Sequence, residues 1–215
     1  FIATANAIIN AGGKLVFADC DDDMCLSYDD VINKVNKNTI AICHVHIGGV
    51  VSKNAIQLST FCKSNNIYFV EDAAQAHGSF FQNNKAGNLG DAAAFSFYST
   101  KVMTTGEGGM ITTNNEDISI KAKSLREFGK KPNDVYTNIY WALGYNWRMP
   151  EVSALLGIKQ LESLEENILK RKAIISHYDL LLKNKKFFNP IGLEYRNEFN
   201  GFKYILKVDP ELRSQ

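Results

Sequence analysis

The chain has 215 residues, of which 45% are hydrophobic and 22% are charged, a composition typical of a folded protein with a substantial core. Its 24 Lys and Arg residues balance 23 Asp and Glu residues, which gives no electrostatic reason to expect nucleic acid or an anionic membrane as a partner. No apolar run reaches the roughly 20 residues of a bilayer-spanning helix. The four cysteines have neither CxxC nor zinc-like spacing, so we expect no metal site. Because the sequence also shows no disulfide-like pattern and no signal peptide, we expect a cytoplasmic protein.

Predicted helices and short apolar strands alternate through the first 70 residues. A helix is expected over residues 3–11, closed by two glycines, and another over 27–35, where Ser27 and Asp30 have the spacing of a capping box. A third helix fits residues 54–64. Apolar strands are expected between these helices, at residues 15–18, 39–45 and 67–70.

These strands are continuous apolar runs rather than alternating polar and apolar residues, so we expect both faces of their sheet to be covered. Strand–helix–strand repetition predicts a mostly parallel sheet with right-handed crossovers. Further strands are expected near residues 93–97 and 110–113, followed by a helix over 116–127 and a polar loop over 130–138. The predicted fold class is therefore α/β, with a mostly parallel central sheet and helices on both faces.

A second region begins at Pro150, which suits the start of a helix because its φ is fixed and it lacks an N–H group. Apolar residues at helical spacing follow as far as residue 164, and a further helix over 168–182 leads to a strand over 202–208. We place a domain change near residue 165. Residues 1–165 would form a large domain, and residues 166–215 would begin a smaller C-terminal α/β domain.

Candidate functional residues follow two of the predicted strands. Asp72 comes just after the apolar run that ends at Val70, and Lys101 lies in a Ser/Thr/Gly-rich turn after the strand that ends near Phe97. Ligands of open parallel sheets bind beyond the carboxyl ends of the strands, so both residues are expected at one crevice. A lysine amine can hold the aldehyde of pyridoxal phosphate and move a proton, while a carboxylate can keep the pyridine nitrogen protonated. Small residues around Ser96 offer hydroxyl and N–H groups for a phosphate.

A series of short motifs covers nearly the whole chain in a fixed order. The motifs are 1–8 (FIATANAI), 16–19 (VFAD), 45–49 (VHIGG), 71–78 (EDAAQAHG), 95–97 (FSF), Lys101, 106–109 (GEGG), 125–129 (LREFG), 144–149 (GYNWRM) and 159–161 (KQL). In this order and spacing they resemble the sugar aminotransferases of the DegT/DnrJ/EryC1/StrS family, a branch of the fold-type I pyridoxal-phosphate enzymes. Each motif is weak by itself, and the shared order makes the resemblance specific.

The resemblance implies roles for five residues around one cofactor, pyridoxal 5'-phosphate. Lys101 would be the lysine that binds the cofactor covalently, and Asp72 would be the partner of the pyridine nitrogen. Gln75 would approach the 3-oxygen of the ring, and Ser96 would hold the phosphate. Phe1 would stack on the cofactor ring.

The resemblance also implies a homodimer with shared active sites. Asn146 matches the asparagine that reaches across the dimer interface to the phosphate of the neighbouring subunit. Family members carry a further phosphate-binding helix before the segment that starts at Phe1, and they continue well past Gln215. Because the sequence also opens without an initiator Met, we expect it to be an excerpt of a longer polypeptide.

Structural interpretations of the same residues stay open. Asp72 could cap a following helix, Ser96 could be a satisfied strand hydroxyl, and Asn146 could simply end a loop. We expect His77 to pack below the site rather than to act in acid–base catalysis. His46 is left open, with a place on the substrate side as one possibility.

On this resemblance we expect an aminotransferase that moves an amino group from glutamate to a nucleotide-linked keto-sugar, in the biosynthesis of amino sugars for surface polysaccharides or glycans. Sugar dehydratases of the same family carry histidine in place of the lysine, and Lys101 argues against that alternative. A non-catalytic regulator or binding module on the same fold is the other alternative, which the joint presence of four cofactor residues disfavours. The sequence does not identify the sugar, the nucleotide or the carbon that is aminated.

Overall fold

The computed structural model describes residues 1–131 and 139–209. Most of the loop predicted over 130–138 and the end of the predicted small domain, residues 210–215, lie outside the described residues. The helices are α1 (Ile2–Asn10), α2 (Tyr28–Lys34), α3 (Lys53–Ser64), α4 (Glu116–Arg126), α5 (Glu151–Glu162) and α6 (Leu164–Leu182). The strands are β1 (Ala41–Val45), β2 (Tyr68–Asp72), β3 (Phe80–Phe81), β4 (Asn84–Lys85), β5 (Ala92–Ser96), β6 (Gly109–Thr112), β7 (Phe188–Pro190) and β8 (Leu206–Val208).

The central sheet has the strand order β1-β2-β5-β6. Strands β1, β2 and β5 are parallel, and β6 pairs with β5 in the antiparallel direction. Val45 lies beside Asp72, and Asp72 lies beside Ala94 on β5. The last residues of the three parallel strands therefore meet at one edge of the sheet, and the predicted mostly parallel α/β architecture is confirmed.

Helices α2 and α3 pack against one face of this sheet. On this face, Leu58 of α3 packs against Ile42 and Phe69, and α2 contributes to the same core. Leu58 and Phe69 are 0% and 2% exposed, so each contributes about 1.5–3 kcal/mol through the burial of apolar surface. Helix α1 approaches the carboxyl end of β2, where Thr4 is hydrogen-bonded to Asp72.

The strand predicted over residues 15–18 is wrong. The chain is irregular there, and Val16 and Phe17 are 63% and 74% exposed. A strand requires a partner for its backbone N–H and C=O groups, but within the described residues β2 is the only strand paired with β1. Beyond residue 18 the chain forms instead a local bridge between Cys20 and Leu26.

The capping interaction predicted for α2 also differs from the structure. Ser27 is the N-cap residue, but its side chain makes no capping hydrogen bond. The Asp30 carboxylate turns away and accepts hydrogen bonds from the backbone N–H of Asp19 and from Lys34 Nζ, both at 2.6 Å. The helix therefore forms at the expected place with a different set of polar contacts at its start.

The C-terminal helices pack back onto the rest of the chain. Helix α6 begins at Leu164, four residues before the predicted start, and its buried Ile175 joins Val50 and Tyr195 in a second apolar core. Of the strand predicted over 202–208, only β8 forms, and it pairs with β7. The domain change near residue 165 stays a prediction.

Candidate active site

Four of the predicted site residues lie at the edge where the parallel strands end. Asp72 is the last residue of β2 and Ser96 is the last residue of β5. Gln75 follows β2 in a tight turn, and Lys101 follows β5 in a turn in which its backbone N–H donates to the Tyr98 carbonyl at 2.9 Å. The strand register therefore brings together residues that are up to 29 positions apart in the sequence (72 to 101).

The Asp72 carboxylate is held through both of its oxygens. Oδ2 accepts a hydrogen bond of 2.5 Å from Thr4 Oγ1, and Oδ1 accepts one of 3.1 Å from the backbone N–H of Ala74. The second bond closes a local turn and does not cap a helix, because residues 73–79 are not helical. The first bond comes from the distant helix α1. Together they fix the direction of the carboxylate while the side chain stays half-buried.

Lys101 is a half-buried amine whose charge is only partly compensated. Its Nζ lies 5.3 Å from the centroid of the Phe202 ring. Burial lowers the pKa of Lys101, the Asp72 carboxylate opposes this effect, and the positive charge of Lys203 adds to it. Asp72 thus acts electrostatically on Lys101 across the same site, and the amine loses its proton more readily than an ordinary lysine does.

Gln75 is held in place by contacts of both its side chain and its main chain. Its Oε1 accepts a 2.8 Å hydrogen bond from the backbone N–H of Gly48, and its carbonyl accepts one of 2.9 Å from Asn200 Nδ2. Within the described ranges, Nε2 of Gln75 has no protein partner, so this donor is free for a ligand. Gly49 lies against the same carbonyl, because a Cβ there would come within 2.8 Å of it.

Ser96 is half-buried, and its Oγ accepts a weak hydrogen bond of 3.3 Å from the backbone N–H of Tyr98. The hydroxyl hydrogen is therefore available to a ligand. A hydroxyl with a free hydrogen, next to a turn of the backbone, suits a phosphate oxygen.

Phe1 and Asn146 are not gathered with the other four residues. Phe1 is 91% exposed and makes no ring contact within the described residues, although its carbonyl accepts from the N–H of Thr4, the residue that holds Asp72. Asn146 is exposed, and the rings of its sequence neighbours Tyr145 and Trp147 stack on each other. Their predicted roles in stacking and in a partner's site remain predictions.

His46 does not line an open surface. It is completely buried, and its Nε2 lies 2.9 Å from Glu71 Oε2. Among the alternatives left open for His46, the structure therefore favours a structural role over a place on the substrate side. His77 is 3% exposed and packs between Phe95 and Phe97, with ring centroids 5.4 and 5.8 Å away, as expected for a residue below the site.

Sequence reasoning missed four residues that complete this site. Thr4 orients Asp72, Asn200 holds the Gln75 turn, Phe202 lies under the Lys101 amine, and Lys203 acts on its charge. Thr4 belongs to a quoted motif, but its hydroxyl could not be distinguished from an ordinary helix hydroxyl. Phe202 and Lys203 come from a segment that carried only a strand prediction, and Asn200 lies just before it, where no element was predicted.

A search of solved structures places this fold among the fold-type I aminotransferases. The aminotransferase PseC of Helicobacter pylori, involved in the biosynthesis of pseudaminic acid, superimposes with a TM-score of 0.93 at 28% identity. This match covers 99% of the chain and 57% of PseC. The family model of the DegT/DnrJ/EryC1/StrS aminotransferases matches residues 1–215, and the chain belongs to this family.

Curated relatives agree with this assignment. A UDP-4-amino-4,6-dideoxy-N-acetyl-beta-L-altrosamine transaminase from Campylobacter jejuni is 34% identical over the whole chain and 58% of its own length. A GDP-perosamine synthase from Caulobacter vibrioides is 35% identical over 83% of the chain and 48% of its own length. The chain thus spans about half of each of these relatives. No helix in the part of the chain that the structure describes has the length and apolarity needed to cross a bilayer.

Proposed function

We propose that the complete protein is a pyridoxal-phosphate-dependent aminotransferase that moves an amino group, with glutamate as the donor, to a nucleotide-linked keto-sugar. The observation that carries the proposal is the placement of Lys101 and Asp72 at one strand edge, close enough for the carboxylate to raise the pKa of the amine against the effect of burial. The names of the relatives, a UDP-sugar transaminase and a GDP-perosamine synthase, support the substrate class.

The residues at this edge fit the cofactor. Bound pyridoxal phosphate would supply an aldehyde for covalent attachment and a ring that accepts electrons from the substrate. Lys101 would hold the cofactor and, when released, carry a proton to and from the substrate carbon. Asp72, fixed by Thr4, would place a negative charge against the ring nitrogen. The free donors of Gln75 and Ser96 would bind the ring oxygen and the phosphate.

A lysine amine that loses its proton easily suits both covalent attachment of the cofactor and proton transfer. An ammonium group can neither attack an aldehyde nor accept a proton, so the lowered pKa of Lys101 increases the fraction of active amine near neutral pH. Burial contributes most to this shift, and the turn around Lys101 is closed by the bond of Thr105 N–H to the Phe97 carbonyl at 2.9 Å.

A homodimer is part of the proposal. Helix α5 carries exposed apolar side chains along its length, with Val152, Leu155 and Leu161 exposed by 80%, 66% and 60%. Exposed apolar side chains that recur along one helix are typical of a surface that a partner covers. Asn146, exposed shortly before this helix, would reach the phosphate site of the second subunit, and Phe1 would stack on the cofactor of its own.

The test uses the complete protein. Purified protein should be yellow, and borohydride should attach the cofactor permanently to Lys101, as peptide mass spectrometry would show. Glutamate should bleach the bound cofactor to its amine form, and a panel of nucleotide-linked keto-sugars should restore the colour. Lys101→Ala should remove the label and the turnover, while Lys63→Ala, on the exposed side of α3, should keep both.

Two results would contradict the proposal. A colourless protein that takes up no label after incubation with pyridoxal phosphate would favour the non-catalytic binding module. Loss of a sugar hydroxyl without transfer of nitrogen would favour the dehydratase, although that class carries histidine at the position of Lys101.

A further inference from the structure

A segment near the end of the described chain is fastened to the active-site edge by a buried asparagine. Asn200 is 0% exposed, and its Nδ2 donates to the carbonyls of Gln75 and His77 at 2.9 and 3.0 Å. Its backbone N–H donates to Ser79 Oγ at 3.0 Å, and its Oδ1 accepts from the N–H of Phe202, also at 3.0 Å. The position of Phe202 next to the site is therefore fixed by the fold.

Lys203 continues this segment over the same edge. Its backbone N–H donates to the carbonyl of Gly48 at 3.3 Å, and Gly48 in turn donates to Gln75 Oε1 at 2.8 Å. The main chain of Lys203 is thus tied to the turn that holds one of the cofactor residues. Its side chain is exposed and free to meet a ligand.

Two ammonium groups share one aromatic ring at this point. Lys101 Nζ lies 5.3 Å and Lys203 Nζ lies 5.5 Å from the centroid of Phe202. Within residues 1–131 and 139–209, neither amine has a carboxylate within 4.0 Å. The charge of Lys203 acts on the Lys101 amine, and the Asp72 carboxylate opposes it only in part, because the pKa of Lys101 stays lowered. An anion bound on the open side of the site would compensate this positive charge.

We propose that Lys203 is an anion-binding residue of the active site, which receives a carboxylate or phosphate group of a substrate and holds it beside Lys101. The proposal rests on the function proposed above and adds to it a residue that selects anionic substrates. An amino-acid donor carries a carboxylate, and a nucleotide-linked sugar carries a diphosphate. Both present the negatively charged oxygens that an exposed ammonium group binds.

A second consequence concerns Lys101 itself. The charge of Lys203 lowers the pKa of the Lys101 amine. An anion bound to Lys203 would weaken this effect and help Lys101 to take up a proton once the substrate is in place. Lys203 would thus connect binding of the charged group with the protonation of the residue that handles the proton.

The test compares three variants of the complete protein. Lys203→Met keeps a long apolar stem against Phe202 and removes the charge, and Lys203→Arg restores the charge. Lys207→Met is the matched control, because Lys207 lies in the same segment but is ion-paired with Asp22 rather than with a group of the site. Equal denaturation midpoints for the three variants would establish that each is folded.

Binding measurements and half-reaction kinetics show whether Lys203 binds the carboxylate of the donor or the diphosphate of the nucleotide. Calorimetry with glutarate, and separately with pyrophosphate, should show a loss of affinity of about tenfold or more in Lys203→Met for one of the two probes. The half-reaction with glutamate or with the keto-sugar should show the matching rise in KM with kcat changed less than threefold. Lys203→Arg should recover most of both values. A change with glutarate assigns the donor carboxylate, and a change with pyrophosphate assigns the nucleotide.

A readout without turnover completes the test. The pH at which borohydride traps half of the added pyridoxal phosphate on Lys101 should rise in Lys203→Met and not in Lys207→Met. If Lys203→Met equals Lys207→Met in both affinities and in this midpoint, the proposal for Lys203 is overturned while the proposed function stands. If the unsubstituted protein is not labelled at all, both proposals fall together.

Discussion

Thr4 Oγ1 and Asp72 Oδ2 lie 2.5 Å apart, in a hydrogen bond that joins α1 to the end of β2 across 68 positions of sequence. A hydroxyl that donates to an ionised carboxylate makes a short, strong bond of this kind. The contact sets the direction of the one carboxylate that would face the cofactor nitrogen. It also means that α1 contributes to the site without a charged residue of its own.

Thr4→Val should therefore weaken the site while the fold persists. The variant keeps the shape of the side chain and removes the donor, which costs about 1.5–3 kcal/mol for a hydrogen bond to a charged group. We expect the affinity for pyridoxal phosphate to fall by roughly tenfold or more. Thr4→Ser retains a hydroxyl and should stay near the original values. Equal absorbance titrations with pyridoxal phosphate for Thr4→Val and the unsubstituted protein would show that the bond is unimportant.

Gly49 is a position at which the active-site turn leaves no room for a side chain. Its φ of +92° is unfavourable for other residues, and a Cβ would collide with Asn200 Oδ1 and come within 2.8 Å of the Gln75 carbonyl. We expect Gly49→Ala to lower the free energy of unfolding by about 3 kcal/mol or more, from backbone strain plus the displaced buried hydrogen bonds.

Gly12→Ala separates the two contributions. Gly12 also has a positive φ, +81°, but a Cβ there would meet nothing within 4 Å. This variant should lose only about 1–2 kcal/mol, the cost of the left-handed backbone. Urea unfolding of both variants measures the difference, and equal losses would show that the contact with Asn200 does not matter.

The central sheet and the strand-end site were predictable because both depend on local patterns. Continuous apolar runs marked β1 and β2, and the carboxyl ends of parallel strands lie together whatever loops connect them. Asp72 and Lys101 could thus be assigned to one edge before any distance was known. The order of the motifs then restricted the expected reaction to that of one enzyme family.

The contacts that complete the site were not predictable in this way. Thr4, Asn200 and Lys203 reach the edge through tertiary packing over 68 or more positions of sequence, and no periodic pattern marks them. The β3–β4 hairpin was missed because its turn uses Gln82 and Asn83 with φ of +48° and +66°, which sequence patterns commonly mark with glycine. The strand at 15–18 was predicted from an apolar run alone, and such a run does not show whether a neighbouring strand is available to pair with it.

Glu71, next to Asp72, should be among the most sensitive positions in the chain. Its side chain is 0% exposed, and it receives hydrogen bonds of 2.8–2.9 Å from His46 Nε2 and from the backbone N–H groups of Gly87, Leu89 and Gly90. Glu71→Ala would leave these donors unpaired in the interior, so we expect a loss of about 3–5 kcal/mol.

Glu71→Gln keeps the size of the side chain and an acceptor oxygen, and its loss should be smaller, about 1.5–3 kcal/mol. Glu162→Gln is the matched control, because Glu162 makes only an exposed pair with Lys159. Its loss should stay below about 1 kcal/mol. Chemical denaturation ranks the three variants, and a Glu71→Ala loss as small as that of Glu162→Gln would contradict the buried-network account.

Buried histidines should make the folded protein sensitive to mild acid. The pKa of His77 is lowered to about 4, mainly by burial; the Ser96 backbone opposes this effect, and the nearby charge of Lys101 adds to it. Burial and the neighbouring His46 hold the pKa of His44 well below its usual range. In the unfolded chain both rings bind a proton near pH 6.5, whereas in the folded chain they stay neutral, so protons favour the unfolded state.

Stability should therefore be nearly constant above pH 7 and fall as the pH decreases from 6.5 towards 4, by up to about 1.4 kcal/mol per pH unit for each histidine. Glu71 adds a further loss at lower pH: burial would raise its pKa, but the bonds from His46 and the backbone N–H groups lower it overall. The stability that Glu71 contributes is present above pH 4.5 and is lost as its folded-state pKa is reached.

His77→Phe tests the origin of the slope. The phenyl ring keeps the contacts with Phe95 and Phe97 and cannot bind a proton, so the loss of stability between pH 6.5 and 5 should become smaller. His177→Phe, at an exposed position of α6, should leave the slope unchanged. Urea denaturation at half-unit steps of pH gives the slopes. If His77→Phe and His177→Phe have the same pH dependence as the unsubstituted protein, His77 does not hold a neutral ring in the folded state.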